Sequence, residues 1–186
     1  MSTLVSDLQD LSRIEAGQLR LQFGMVLLSE IIDEVIRSLH GQIEEKGQQI
    51  VLEVPDDLPK VWGDRVRLVQ ILTNLISNAH KYTPEAGKIT VEAKLAANQD
   101  DPAGGSRFVH VAVQDTGIGI GQADQRRIFQ QFFRSEDPKV REVTGTGLGL
   151  SITKNLVEMQ GGSIWFESQV RKGTSFYFSV PVAETD

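Results

Sequence analysis

The residues best suited to chemistry in this chain fall in two glycine-rich clusters, Asp115-Thr116-Gly117-Ile118-Gly119 and Gly145-Thr146-Gly147-Leu148-Gly149-Leu150. The first sets a carboxylate at the end of an apolar strand, beside two glycines. A buried carboxylate can accept from the amino edge of a purine. The second sets three alternate glycines at the start of an amphipathic helix, where backbone N–H groups can receive phosphates. Together they suggest a nucleotide held at both ends.

A helix expected from Asp64 to Tyr82 carries a third constellation. Gln70, Asn74 and Asn78 lie four residues apart on one face, and Lys81 and Tyr82 follow at its end. Carboxamides on an otherwise apolar helix are costly to bury unless each finds a partner. An Asn carbonyl oxygen can complete the shell of Mg²⁺ beside phosphate oxygens and waters.

Each feature has a plainer reading when taken alone. Asp115 can be a turn residue, and Gly117 and Gly119 can be hinge residues. The Gly145 cluster can be an ordinary strand-to-helix turn, although three alternate glycines exceed what capping needs. Lys81 and Arg134 can be solvated surface charges. Tyr82 can cover a helix end, and Phe132 and Phe133 are expected to plug the core. The joint pattern is what points to function.

The elements that must position these residues alternate along the chain. Leu4, Leu8 and Leu11 recur at helical spacing, and Gly17 is expected to cap the end of that helix. One apolar stripe on about 15 residues is too little to be stable alone, so this helix must pack on something. Residues 19–28 turn strand-like. Ser29 is expected to cap a helix with Ile31, Ile32, Val35, Ile36, Leu39 and Ile43 inward, ending near Gly47. Ile50–Val54 reads as a strand.

Asp64 is expected to cap the next helix, with Val66, Val69, Leu72, Leu75, Ile76 and Ala79 inward. Ile89–Leu95 and Phe108–Val113 read as strands joined by a polar turn from Asn98 to Ser106. Residues 120–144 show no sustained period and read as a mobile excursion. A helix from Leu148 to about Gln160 ends at Gly161-Gly162, and strands follow over Ser163–Ser168 and Thr174–Val180. The order suggests an α/β fold, one mixed sheet with helices on one face.

Composition sets limits on this picture. With 186 residues and 40% hydrophobic content the chain can bury a core. A net charge of −6 argues against a nucleic-acid or anionic-membrane surface. There are no cysteines, which excludes disulfides and thiolate metal sites. No apolar run approaches the roughly 20 residues needed to cross a bilayer, and the N-terminus lacks a secretory pattern. A cytoplasmic location without direct membrane contact is expected, whether or not the full-length protein is membrane-anchored.

Four segments stand in order: Asn74–Pro84, Asp115–Gly119, Phe129–Arg134 and Gly145–Leu150. They resemble the N, first glycine, F and second glycine boxes of the catalytic, ATP-binding domain of bacterial sensor histidine kinases. The resemblance runs from about Leu19 to the end. Leu11-Ser12-Arg13-Ile14-Glu15-Ala16-Gly17 also resembles the tail of that family's dimerisation hairpin. The resemblance implies a residual dimerisation helix over residues 1–18 and a catalytic domain over 19–186, with a lid at about 121–145. It implies a Bergerat-type two-layer sandwich: a mixed, mostly antiparallel sheet with three main helices on one face, plus one N-terminal helix.

The cofactors it implies are ATP and Mg²⁺. Asn78 would be the metal ligand and Asn74 its companion, while Lys81 would face the phosphates and Tyr82 would line the pocket. Asp115 would accept from the adenine amino group, with Gly117 and Gly119 letting backbone approach the base. Arg134 would reach the terminal phosphate from the lid. Gly145, Thr146, Gly147, Leu148 and Gly149 would wrap the phosphates. Related ATPases carry a glutamate where Asn74 stands, and an amide cannot activate water as a base, so slow hydrolysis is expected.

The acceptor in that family is a histidine usually followed by an acidic residue. Here His40, His80 and His110 precede Gly41, Lys81 and Val111. None fits, so the resemblance implies a phosphoryl donor whose acceptor lies on a histidine-containing dimerisation hairpin outside this chain, with a response regulator downstream. A fragment of this kind is expected to be monomeric. A nucleotide-gated interaction domain and a serine/threonine kinase of the anti-sigma type remain as alternatives.

Overall fold

A computed structural model describes residues 3–97 and 107–184; the expected polar turn from Asn98 to Ser106 lies outside them. The elements follow as α1 (Thr3–Glu15), β1 (Phe23–Val26), α2 (Leu28–Glu45), β2 (Gln49–Glu53), β3 (Val61–Asp64), α3 (Arg65–Tyr82), β4 (Lys88–Ala97) and β5 (Arg107–Asp115). The chain continues through α4 (Gln122–Gln125), α5 (Pro138–Arg141), α6 (Gly149–Met159), β6 (Ile164–Gln169) and β7 (Gly173–Pro181). No helix among the described residues is long and apolar enough to cross a membrane.

Five strands form one sheet in the order β2-β4-β5-β7-β6. Only β2 and β4 run parallel; the other neighbours are antiparallel. A parallel pair needs a crossover, and here α3 supplies it. Alternation assigns the faces: Val109, Val111 and Val113 of β5 and Phe176, Phe178 and Val180 of β7 turn to the core. Helices α2, α3 and α6 bury their apolar stripes, including Ile31, Ile71, Leu72 and Ile152, against that face. This is the expected two-layer α/β sandwich.

Several local expectations need correction. β3 reads as no strand in the sequence because it is four residues long and contains Gly63; it pairs with β1 in a separate two-stranded ribbon. Ser29 does not cap α2. The helix already begins at Leu28, whose side chain is 1% exposed, and no side-chain cap bond forms. Burial of that leucine outweighs the gain from a capping hydroxyl. Val66 is 70% exposed, and Leu68 and Ile71 take the inward positions at that end of α3. The stretch over 120–144 holds two one-turn helices, α4 and α5.

Helix α3 is fixed at both ends by groups from elsewhere. At its start, Asp64 accepts from the Arg67 amide at 3.1 Å and from the Gln22 amide at 2.7 Å. The Asp64 amide in turn donates to Oε1 of buried Gln160 at 2.7 Å, joining the end of α6 to the start of α3. At its end, the carbonyls that no helical N–H can reach accept from other side chains. Lys46 Nζ donates to the His80 carbonyl at 2.9 Å, and Gln48 Nε2 to those of His80 and Thr83 at 3.0 and 2.8 Å.

Replacing Gln160 by Ala strands the buried Asp64 amide, so a loss of about 1–3 kcal/mol is expected. A urea midpoint shift measures it. An unchanged midpoint would show that the α6–α3 tie contributes nothing to stability.

Candidate functional site

A cavity of about 650 Å³ opens between α3, the end of β5, the stretch over 120–144 and the start of α6. That volume suits a small-molecule cofactor. Asn74, Asn78, Lys81 and Tyr82 line it from α3, and Asp115 and Gly119 from the first glycine cluster. Arg134 lines it from the stretch over 120–144, and Gly145, Thr146, Gly147 and Gly149 from the second cluster. Residues about 75 positions apart in sequence thus face one space.

The Asp115 end is apolar. Ile118 and Ile120 follow Asp115 closely in the chain and, with Ile128, Leu150 and Phe176, line the same cavity. Burial pushes the Asp115 carboxyl up to about 6, against the opposing pull of two backbone donors. These are the amides of Gly117 at 2.8 Å and Thr174 at 3.2 Å, both to Oδ1. A carboxylate so poorly solvated has lone pairs to offer a polar ligand edge. Thr174 could not be found from sequence, since its place opposite Asp115 follows from the register of β5 on β7.

The other end is polar. The Asn78 side-chain carboxamide lines the cavity and forms no hydrogen bond with any described residue. Asn74 differs: its Nδ2 donates to Thr153 Oγ1 at 3.0 Å and to the Gly149 carbonyl at 3.4 Å, tying α3 to α6. Gln70 does not join this group. It donates to Asp10 at 2.8 Å and accepts from Arg67, holding α1 instead. No cluster of three His, Cys, Asp or Glu suited to a metal exists among the described residues. Asn78 can therefore serve only as one ligand among phosphate oxygens and waters, which suits Mg²⁺.

Two expected contributors sit differently. Leu148 is a core residue with 0% exposure, so only its backbone is available; its amide donates to Thr146 Oγ1 at 3.2 Å. Gly117 lies behind the cavity wall, where an added Cβ would come within 2.5 Å of the Tyr82 carbonyl oxygen. The glycines divide by what needs them. Gly119 and Gly147 have φ of +70° and +74°, and a Cβ would strike the Gln169 carbonyl and the Phe132 backbone. At Gly145 and Gly149 a Cβ would meet nothing nearer than 3.8 and 3.7 Å. The fold leaves room for a Cβ at those two positions.

The stretch over 120–144 is anchored by Phe129, whose ring packs edge-on against Phe166 and Phe176. Phe133 packs beside the core under the Arg127 guanidinium. Phe132, expected as a core plug, is 60% exposed, with φ of 60° turning it outward. The Arg134 guanidinium donates to the carbonyls of Val140 and Val143, which holds it to the backbone of its own segment. Tyr82 sits half-buried; burial raises its hydroxyl, with the Arg134 charge acting against that.

The histidines lie away from the cavity. His80 Nδ1 meets Gln48 Oε1 at 2.7 Å, and burial, with Lys46 and Lys81 nearby, lowers its proton affinity. His110 packs edge-on to Trp165 on the outer sheet face, and His40 pairs with Glu44 on α2.

This arrangement defines an ATP-binding α/β domain, and the chain belongs to the family described as histidine kinase-, DNA gyrase B- and HSP90-like ATPases, whose model matches residues 63–184. Within that family it resembles the catalytic domains of sensor histidine kinases. It is 39% identical over 179 residues to the signal transduction histidine-protein kinase BarA of Escherichia coli K12, covering 95% of this chain and 19% of BarA. Full-length ShkA in complex with AMPPNP superposes with a TM-score of 0.81 at 30% identity, over 98% of this chain and 36% of ShkA. Histidine kinase ThkA in complex with the response regulator TrrA matches at 0.70 and 28% identity, over 96% of this chain and 48% of that one. The chain spans less than half the length of the curated relatives it matches.

Two outcomes are expected from the wall. Gly145→Ala and Gly149→Ala should fold with unchanged stability yet lose roughly tenfold or more in ATP affinity, or about 1.4 kcal/mol. Gly119→Ala and Gly147→Ala should instead lose about 1–3 kcal/mol of stability. Equal behaviour of the two pairs in thermal melts and titrations would refute the division.

Asp115→Asn should weaken ATP binding and stabilise the ligand-free protein. With a folded value of about 6 against 3.8 unfolded, the native state binds more protons between those values. Wild-type stability therefore falls as pH rises from about 4 through 6 and is level above. The Asn variant lacks that fall, so its advantage at pH 7.5, about 1–3 kcal/mol, should vanish toward pH 4. An advantage that does not change with pH in urea melts would rule out the carboxyl as its source.

Proposed function

We propose that this domain holds ATP with Mg²⁺ and donates the γ-phosphoryl group to a histidine on a dimerisation hairpin, in a relay that ends on a response regulator. The observation that carries this reading is the polarity of one cavity, with a desolvated carboxylate at one end and amide, cation and backbone donors at the other. Asp115 accepts from the adenine amino group. Gly119 closes on the base, with Gly117 supporting it from behind. Asn78 supplies a metal ligand, Asn74 holds α6 in place, and Tyr82 flanks the nucleotide. Lys81, Thr146 and the backbone of Gly145 to Gly149 receive the phosphates, and Arg134 reaches the γ-phosphate once it leaves its carbonyl partners.

Mg²⁺ would neutralise charge on the phosphate oxygens. The rest is positioning by the chain's own residues, which is most of what phosphoryl transfer requires. In the transfer a P–N bond forms to the acceptor imidazole, the bridging P–O bond to ADP breaks, and the imidazole loses its proton. No carboxylate replaces Asn74 to activate water. His40, His80 and His110 are all outside the cavity, which supports an acceptor supplied from elsewhere. Residues 1–18 then belong to the hairpin side and 19–186 to the catalytic domain, with residues 121–145 as its lid. The ThkA complex with its regulator supports a regulator as the final recipient.

Calorimetric titration with ATP and Mg²⁺ should show binding that Asn78→Ala weakens at least tenfold, with the loss confined to Mg²⁺-containing buffer. Added hairpin bearing the acceptor should take up label from γ-labelled ATP as an acid-labile product. Absence of binding at millimolar nucleotide would sink the proposal; an acid-stable product would redirect it to a hydroxyl acceptor.

A further inference from the structure

Helix α1 lies against the phosphate end of the cavity. Thr3, Leu4 and Asp7 line the same space as Asn78, Lys81 and Gly145. Asp7 Oδ2 accepts from Thr146 Oγ1 at 3.0 Å, and that same hydroxyl oxygen accepts from the Leu148 amide. Lys81 stands close enough to act on the Asp7 carboxyl, though burial is the stronger influence and raises it. An acidic side chain thus engages a hydroxyl suited to phosphate oxygens, on the wall that Lys81 also lines.

The helix is held there by further ties. Asp10, itself buried, accepts from Arg67 at 3.1 Å and from Gln70 at 2.8 Å on α3. Leu11 is buried, and Glu15 accepts from Gln131 of the lid at 3.0 Å. The short reach of Asp7 to Thr146 therefore depends on where α1 sits on α3 and on the lid.

From this geometry we propose that Asp7 is an autoinhibitory latch, a carboxylate that occupies a γ- or β-phosphate position on the second glycine cluster while α1 is docked. The inference rests on the reading of this cavity as the ATP site and adds a regulator to it. A triphosphate brings negative charge to the position of the Asp7 carboxylate, and like charges in a confined site repel. Nucleotide phosphates and a docked Asp7 thus exclude one another. By reciprocity, ATP binding loosens α1, and displacement of α1 tightens ATP binding by the same factor. The adenine end, on the far side of the cavity at Asp115, is insensitive to the latch.

The test titrates adenosine, ADP and ATP against the wild-type chain, Asp7→Ala and Asp7→Asn. The Asn variant keeps size and a carbonyl acceptor for Thr146 while removing charge. Both variants should bind ATP about tenfold more tightly, ADP less so, and adenosine unchanged. In the wild type, ATP should speed tryptic cleavage after Arg13 and Arg20, and adenosine should not. An ATP affinity that stays level or falls in both variants would overturn the latch and make Asp7 a spectator or a ligand. If the wild type binds neither adenosine nor ATP, the ATP site itself is wrong and the latch falls with it.

Discussion

Helix α3 takes its register from groups outside itself, and the geometry of the site follows from that register. Its first turn is held by Asp64 and Gln22, its last carbonyls by Lys46 and Gln48, and its apolar face by the sheet. A helix clamped in this way cannot rotate to relieve a polar residue. Asn74 and Asn78 must therefore stand where the 3.6-residue period puts them, toward α6 and the cavity. The Tyr82 carbonyl then accepts from the Ile118 amide at 3.2 Å, so the end of α3 also sets the position of the first glycine cluster.

The two ends of the cavity are built on opposite electrostatic principles. Around Asp115 the wall is aliphatic and aromatic, and the carboxyl is held at the expense of its charged form. At the second glycine cluster the groups are cationic, hydroxylic or backbone, while Asp7 from α1 brings a charge of opposite sign, as Asp124 and Asp137 do elsewhere on the wall. Charge in such a space is counted carefully: one carboxylate more or less at the polar end alters what else can enter.

Much of this was legible in the residues. The strong apolar periods of α2, α3 and α6 and the alternation of β5 and β7 define the two layers without further help. The glycine clusters and the Asn74–Asn78 face mark both walls of the cavity. Long-range register was beyond reach. Nothing local places Thr174 opposite Asp115, brings Asp7 to Thr146, or sends Gln70 to α1 and away from the cavity. Short elements failed for a related reason. β3 exists because β1 pairs with it, and Ser29 loses its capping role to the burial of Leu28, a competition that only tertiary contacts decide. Arg134 and Phe132 show the same limit over residues 120–144, where side-chain direction follows from backbone conformation with little periodic signal.

The strand order carries a consequence for how such a chain comes into being. β7, the last of the described strands in sequence, lies between β5 and β6 and supplies the Thr174 amide to Asp115. Until it emerges from the ribosome, β5 keeps an open, valine-rich edge of nine residues. Unpaired edges of that kind recruit other strands. A nascent chain halted before residue 173 would therefore be both unable to complete its carboxylate pocket and exposed to the wrong partner. The domain becomes competent and safe in the same step, the pairing of β7 with β5.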